Sequence, residues 1–205
     1  MEQRRSPGRP AETDPDAIAL IALRLFARRG VDEVTMTEIA QAAGVSRRTL
    51  FRWFPSKAAL IWGGTLEADE RFEAAWTSVL PREAETGEAG SSPGLMQRVR
   101  AAYAASISPL GETSDITRLR LRLIDENPAV YAWGHELRER MAAHLAAHIA
   151  ETIGLPPDSV RVRALVAAIS GASYAALAWW AQHDDPRPPA EVLDEALEAL
   201  AAAFE

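Results

Sequence analysis

The sequence of 205 residues contains no cysteine and a single lysine, Lys57. The absence of cysteine excludes disulfides, thiolate metal sites and cysteine nucleophiles. The N-terminal residues lack the apolar core of a signal peptide, and we identify no uncharged apolar run long enough to span a bilayer. We therefore expect a cytoplasmic protein with no membrane partner.

Charge is distributed unevenly along the chain. The net charge is −7, yet residues 1–60 carry ten Arg or Lys against seven Asp or Glu, a net of +3. Residues 61–205 carry twelve against twenty-two, a net of −10. This asymmetry predicts a small basic module in front of a larger acidic one. A basic patch suits a polyanion, so a nucleic acid is the first partner to consider.

Helix signals recur along the whole sequence, and we predict an all-α fold of about nine helices. The segment RLRLRLI at 118–124 alternates as a strand would, but its flanks are helical and it has no partner strand, so we predict a helix there as well. Residues 81–93, rich in Gly, Pro and Ser, predict a loop. The predicted helices run between Asp14 and Gly30, Thr35 and Ala43, Ser46 and Trp53, and over about 57–80, 93–108, 114–125, 128–153, 158–184 and 188–204.

Residues 35–54 predict a helix-turn-helix. Thr35 with Glu38 three positions later forms a capping-box pattern that opens one short helix, and Ser46 is placed to cap the next. Between them, Ala43-Gly44-Val45 provides a tight turn. The second helix of such a motif lies in the major groove with its N-terminal residues at the base edges.

The segment GVSRRTLFRWFPSK (44–57) carries four cations and no acid. An arginine at position 47 or 48 can bind guanine O6 and N7 bidentately, and the methyl group of Thr49 can contact a thymine methyl. Lys57, where the next helix begins, would suit a phosphate. Phe51 and Trp53 fit against the sugar–phosphate backbone, whereas Leu50 and Phe54 are expected in the core.

Residues 35–60, T-x-T-E-I-A-x-A-A-G-V-S-x-x-T-L-F-R-W-F-P-S-K-x-x-L, resemble the TetR family of transcriptional regulators, as does A-x-x-L-F-x-x-x-G at 22–30. FRWFPSK followed by Ile61-Trp62-Gly63 is similar to regulators of mycofactocin systems. The resemblance implies a flexible basic arm (1–12), a three-helix DNA-binding domain (13–56) and a helical effector-binding and dimerisation domain (57–205). It also implies a homodimer that binds a palindromic operator in double-stranded DNA and releases it when a small molecule binds.

The resemblance assigns DNA contacts position by position. One departure concerns Trp53, which stands where the family usually has Tyr or His at a phosphate. The implied contacts are Thr35, Thr37, Ser46, Arg47, Arg48, Thr49, Phe51, Trp53 and Lys57.

The N-terminal arm contains Arg4, Arg5 and Arg9 in R-R-S-P-G-R-P. Such a segment can place arginine in a narrow minor groove. It can equally be a disordered basic tail, and the sequence leaves both interpretations open.

The last two helices carry apolar faces suited to a four-helix dimer interface through about 158–204. The alternative is that these faces close the core of the single chain. On the first helix the face comprises Val162, Leu165, Val166, Ile169, Ala172, Ser173, Ala176 and Leu177, edged by Ala168, Gly171 and Ala175. On the second it comprises Val192, Leu193, Leu197, Leu200 and Phe204.

A pocket for a small apolar effector, such as an acyl chain or acyl-CoA, is expected among the helices of 57–153, and no cofactor is expected. Aromatic walls suit apolar ligands, although each of these residues could instead be ordinary core. The candidate walls are Trp62, Leu66, Phe72, Trp76, Tyr103, Leu121, Trp133, Leu137 and Met141.

His144, His148 and Glu151 share one helix face at spacings that could bind a metal. A metal-dependent hydrolase is therefore one alternative function. The sequence lacks the general-base glutamate of H-E-x-x-H and an activated nucleophile, so we do not expect an enzyme. A helical interaction module that does not bind DNA is a second alternative.

Overall fold

A computed structural model describes residues 14–78, 94–107 and 114–202, which form eleven helices and no strand. The chain divides into two compact units, Met1–Leu60 and Ile61–Glu205. The predicted all-α class is confirmed over the described residues. The arginines of the predicted arm (Arg4, Arg5 and Arg9), the predicted loop at 81–93, and Phe204 lie outside them.

The first unit contains three short helices and the beginning of a fourth. Their apolar side chains form a small core, in which Leu23, Ile39 and Leu50 are fully buried and Phe54 is nearly so, as the sequence predicts for the last two. The helices are α1 (Pro15–Arg29), α2 (Met36–Ala42), α3 (Arg47–Trp53) and α4 (Lys57–Ile61).

The second unit packs seven further helices around one core, with α10 against α7, α9 and α11, and α6 against α5 and α11. These helices are α5 (Thr65–Ser78), α6 (Leu95–Ile107), α7 (Ser114–Glu126), α8 (Pro128–Trp133), α9 (His135–Ile153), α10 (Val160–Gln182) and α11 (Pro189–Ala202).

Two of the predicted long helices are each divided in two, which explains why the described residues form more helices than expected. The helix predicted over 57–80 ends at Ile61, and Gly64 takes the left-handed region with φ 83°. The helix predicted over 128–153 is interrupted at Gly134. A β-carbon there would lie 2.2 Å from the Trp62 ring, whose Nε1 donates to Val130 O at 2.8 Å.

The alternating arginines of 118–124 lie on α7, so the predicted helix is confirmed. Arg118 donates to the backbone oxygens of Trp180 and Asp185, both at 2.6 Å, and Arg122 donates to Ala181 O at 2.6 Å. The C-terminal carbonyls of a helix lack intrahelical donors. One face of α7 therefore supplies the donors that the end of α10 requires.

Helix α10 is long and apolar enough to cross a membrane by length and composition alone, contrary to the expectation from sequence that no such run exists. Its packing is that of a core helix. Val162, Val166 and Ile169 are buried in the same cluster as Leu193 and Leu197 of α11.

The apolar face that the sequence assigned to a dimer interface therefore belongs largely to the core of the single chain. Periodicity identifies which face is buried but not which chain buries it. A different face of α10 remains open, with Val160 85% exposed and Trp179 43% exposed at its two ends. Between these ends, Arg161 and Arg163 are exposed near the start of the helix, and the exposed residues that follow are small: Ala164, Ala167, Gly171 and Ala175.

Candidate nucleic-acid interface and ligand-binding residues

The turn between α2 and α3 is built by short-range contacts. Gly44 takes φ 66°, a conformation that side-chain-bearing residues rarely adopt. The amide of Val45 then donates to Ala40 O at 2.9 Å. At the start of α3, Ser46 Oγ accepts from the Thr49 amide at 3.0 Å, which caps the helix. The motif predicted from sequence is thus present in its expected position.

The start of α2 is fixed by a reciprocal cap. The Thr35 amide donates to Glu38 Oε2 at 2.7 Å, and the Glu38 amide donates to Thr35 Oγ1 at 3.2 Å. Arg29 pairs with Glu38 at 2.7 Å from the end of α1. The hydrogen bond from the Thr35 backbone, followed by the one from the Arg29 side chain, lowers the pKa of Glu38 from 4.5 to about 2. The carboxylate therefore stays ionised at neutral pH and ties α1 to α2.

Helix α3 presents a cationic and aromatic surface. Arg47, Arg48 and Arg52 are exposed, and within the described part of the chain none of them forms an ion pair. Phe51 is 42% exposed and Trp53 45% exposed. The Arg47 guanidinium lies 5.8 Å from the centroid of the Phe51 ring and that of Arg52 lies 5.4 Å from Trp53. These charges are available for an external anion.

Lys57 has an internal role that the sequence did not indicate. Its Nζ donates to Val31 O at 2.7 Å and to Asp32 O at 3.1 Å, both in the segment that joins α1 to α2. An ammonium carries three donors, so one N–H remains for a phosphate. The side chain therefore holds the start of α4 to the α1–α2 connection.

The other predicted DNA-contact residues differ in whether their side-chain hydroxyl groups are free to bind DNA. The hydroxyl groups of Thr35 and Ser46 are already used in helix caps, and Ser46 Oγ lies 2.8 Å from Thr49 Oγ1. Thr37 is half-buried on α2. The three exposed arginines of α3 consequently provide most of the free hydrogen-bonding capacity of this surface.

The predicted pocket walls lie in different surroundings within the second unit. Phe72, Trp76, Tyr103 and Leu121 belong to or pack against the core of the second unit, and burial raises the pKa of Tyr103 above its ordinary value. Met141 is half-buried on α9. The side chain of Leu66 lies outside the described residues.

Trp62 is buried against α8, as its hydrogen bond to Val130 requires. Trp133 and Leu137, by contrast, line an open cavity of about 660 Å³. Ala132, His135, Glu136 and Arg140 complete its lining. Two of the predicted walls, Trp133 and Leu137, thus line this cavity.

Among the described contacts, His144 and His148 form none with Glu151, which is exposed. Their carboxylate partners come from α5 instead. His144 Nδ1 lies 3.1 Å from Asp69 Oδ2, and His148 Nε2 lies 2.9 Å from Glu73 Oε2. Asp69 and Glu73 repeat the spacing of four residues seen in the two histidines, which is the signal that the sequence interpretation missed.

Comparisons with known proteins agree with the helix-turn-helix geometry. Residues 21–61 match the family described as bacterial regulatory proteins, tetR family. Residues 94–205 match the MftR C-terminal domain. A Mycobacterium tuberculosis protein named as the mycofactocin biosynthesis transcriptional regulator MftR is 48% identical over 56 residues, which cover 27% of this chain and 28% of that protein.

Longer matches extend beyond the helix-turn-helix. An HTH-type transcriptional regulator of M. tuberculosis is 30% identical over 164 residues, covering 75% of this chain and 69% of that protein. Among solved structures, the transcriptional regulator FadR from Bacillus subtilis, in complex with stearoyl-CoA, superposes with a TM-score of 0.60 at 18% identity, covering 90% and 96% of the two chains. These relatives are regulators, not enzymes. The chain therefore belongs to the TetR family of DNA-binding transcriptional regulators, and its C-terminal part is of the MftR type.

Proposed function

We propose that this protein is a ligand-responsive repressor that binds a palindromic operator as a homodimer, with α3 in the major groove. The observation that carries the proposal is the set of exposed arginines on α3 without ion pairs in the described residues. Arg47 and Arg48 occupy the N-terminal turn of α3, where base contacts are expected. Arg52, Phe51 and Trp53 follow and suit the phosphate backbone.

The division of roles among these residues follows from their position. Arg47, Arg48 and Thr49 lie where side chains meet base edges, so they carry the sequence preference. Thr35, Thr37 and Ser46 lie at or beside helix N-termini, where backbone amides favour a phosphate. Lys57 offers its one remaining N–H to the same backbone.

Selection from a pool of randomised duplexes tests the DNA interface. Wild-type protein should enrich an inverted repeat, because two identical half-sites face two identical heads. Arg47→Ala should lose the preference at one position of each half-site, by ~1–3 kcal/mol per half-site. The matched control is Arg28→Ala, which removes an exposed arginine at the end of α1. Unchanged preference in Arg47→Ala, or no enrichment by wild type, would contradict the proposal.

The proposed homodimer uses the open face of α10 described above. Its small side chains permit close approach of a second helix, and Val160 and Trp179 would lose the exposure that they have in the single chain. Gly171→Arg places a large cation on this face, and a β-carbon there meets no atom within 4 Å in its own chain. We expect this variant to be monomeric in light scattering.

Ala147→Arg, at an exposed position of α9, is the control for the dimer test and should remain dimeric. If Gly171→Arg remains dimeric, the open face of α10 is not the dimer interface. Because a palindromic site requires both heads, the monomeric variant should also lose most of its operator affinity.

An apolar effector is the third part of the proposal. The FadR structure holds stearoyl-CoA, and the cavity beside Trp133 and Leu137 combines apolar walls with Arg140. Stearoyl-CoA should raise the melting temperature and release the operator, whereas CoA alone should do neither. Trp133→Ala should weaken both responses without changing operator affinity in the absence of ligand. Equal responses to stearoyl-CoA and CoA would exclude the apolar component of recognition.

A further inference from the structure

We propose that Asp69, Glu73, His144 and His148 form a binding site for a divalent transition-metal ion of the zinc class, bridging α5 and α9. The site lies entirely within the second unit, and it does not depend on the proposed operator or effector. It would add a metal to the partners of this protein.

Two matching pairs of side chains create the site. Asp69 and Glu73 are four residues apart on α5, and His144 and His148 are four residues apart on α9, so each pair shares one face of its helix. The ligand atoms of Asp69, Glu73 and His144 all lie within 4.8 Å of one another. His148 is adjacent to this group, because its Nε2 lies 2.9 Å from both carboxylate oxygens of Glu73.

The distances between the ligand atoms fit a zinc ion. Zinc binds nitrogen and oxygen at about 2.0–2.2 Å, so tetrahedral ligand atoms are about 3.4 Å apart. In the cluster, His144 Nδ1 lies 3.1 Å from Asp69 Oδ2 and 3.7 Å from Glu73 Oε1. An ion placed between these atoms would therefore require only small side-chain adjustments.

Hydrogen bonds do not satisfy all the buried polar atoms of this cluster. His144 Nδ1 is buried and has no hydrogen-bond partner of acceptable geometry, despite its closeness to Asp69. The side chain of Asp69 is 9% exposed, and its described ionic partners are His144 and, at 3.9 Å, Arg140. Buried polar atoms are almost always satisfied, and an unsatisfied one calls for a water or an ion. A metal would bind the free lone pair of His144 and compensate the buried carboxylate.

The donor set favours the zinc class over calcium or magnesium. Two imidazoles and two carboxylates suit zinc, nickel, cobalt and iron, whereas calcium and magnesium prefer oxygen alone. The side chain of His144 is 40% exposed, which gives the ion a path from solvent. His148 stacks on Trp76 with ring centroids 4.7 Å apart, which fixes the orientation of its imidazole.

Cobalt(II) titration of the full chain, purified without a polyhistidine tag, tests the proposal. Wild type should bind one ion per chain, show visible absorption bands of a nitrogen- and oxygen-ligated cobalt site, and lose them when zinc is added. Asp69→Asn and Glu73→Gln keep the side-chain shapes and should each weaken binding by about 10-fold to 100-fold or more, since losing even an outer-shell partner costs that much.

The histidine variants provide matched controls, because the chain has four histidines in total. The double variant His144→Gln/His148→Gln should abolish cobalt binding. His135→Gln/His183→Gln removes the same number of imidazoles and should bind as wild type does. If wild type binds no cobalt, or if the Asp69 and Glu73 variants bind as tightly as wild type, the cluster is a hydrogen-bonded bridge only and the proposal is overturned.

Discussion

Replacing Lys57 with methionine would separate the internal role of its ammonium from the packing of its side-chain stem. The ammonium donates to Val31 O and Asp32 O at 2.7 and 3.1 Å, and it thereby joins the start of α4 to the α1–α2 connection. Methionine preserves most of the apolar stem but has no donor. We therefore expect the first unit to open more easily in Lys57→Met.

The magnitude follows from the two bonds. A hydrogen bond from a charged group contributes about 1.5–3 kcal/mol. One of the two is partly buried and the other is exposed to water, so we take ~2 kcal/mol for the pair, below the sum of two full contributions. A loss of that size raises the population of the open unit about 30-fold.

Hydrogen–deuterium exchange measures this opening directly. Backbone amides of α1 to α3 that exchange through opening of the unit should exchange about 30-fold faster in Lys57→Met. Arg52→Ala is the control, because it also removes one cation but from an exposed side chain without an ion pair in the described residues. Its exchange should match wild type. Unchanged exchange in Lys57→Met would refute the inference that these two bonds hold the unit together.

Three further changes test the fold around the functional surfaces. Because the pKa of Glu38 is lowered from 4.5 to about 2 in the folded state, the stability that its ionised form contributes is present above pH 4.5 and is lost as the pH falls toward 2. Urea unfolding across that range should show this loss of stability. The loss between pH 4.5 and 2 should be smaller in Glu38→Gln. Gly134→Ala should destabilise the second unit by ~1–3 kcal/mol through overpacking against Trp62. Thermal unfolding of Gly171→Ala, where a β-carbon has free space, provides the comparison. Arg118→Lys should lower the melting temperature, since an ammonium cannot reproduce the planar fork that reaches two backbone carbonyls; an unchanged melting temperature would contradict that role.

The helix-turn-helix could be predicted because its determinants are local. The cap at Thr35 uses Glu38, and the cap at Ser46 uses Thr49, each only three residues away. Gly44 takes the left-handed conformation that the turn requires. Interactions of this range are contained in a short sequence window, so pattern and structure agree.

The two divided helices could not be predicted in the same way. A glycine inside an apolar period is tolerated in many helices, so Gly64 and Gly134 gave no decisive signal. What fixes the second break is the Trp62 side chain, which binds Val130 across 68 residues of sequence. Contacts of that separation depend on how the helices pack, and periodicity carries no information about it.

The candidate sites show the same limit. The histidines of α9 were identified from their spacing, but their partners Asp69 and Glu73 lie on another helix. Exposure on α3 was predictable from its charges, because arginines without acidic neighbours seldom become buried. The engagement of Lys57 with two carbonyls was not predictable, because the chain between it and Val31 forms two intervening helices.

The position of Lys57 also determines how the protein would respond to amine-reactive chemistry. It is the only lysine, so acylating reagents can modify one side chain along the entire polypeptide. The hydrogen bonds to Val31 O and Asp32 O hold its nitrogen in place and restrict the directions from which a reagent can approach it. Acylation of Lys57, resolved by mass spectrometry from acylation of the α-amino group, should therefore be slower than that of an unrestrained lysine, and added duplex should slow it further if it reduces the motion of this side chain.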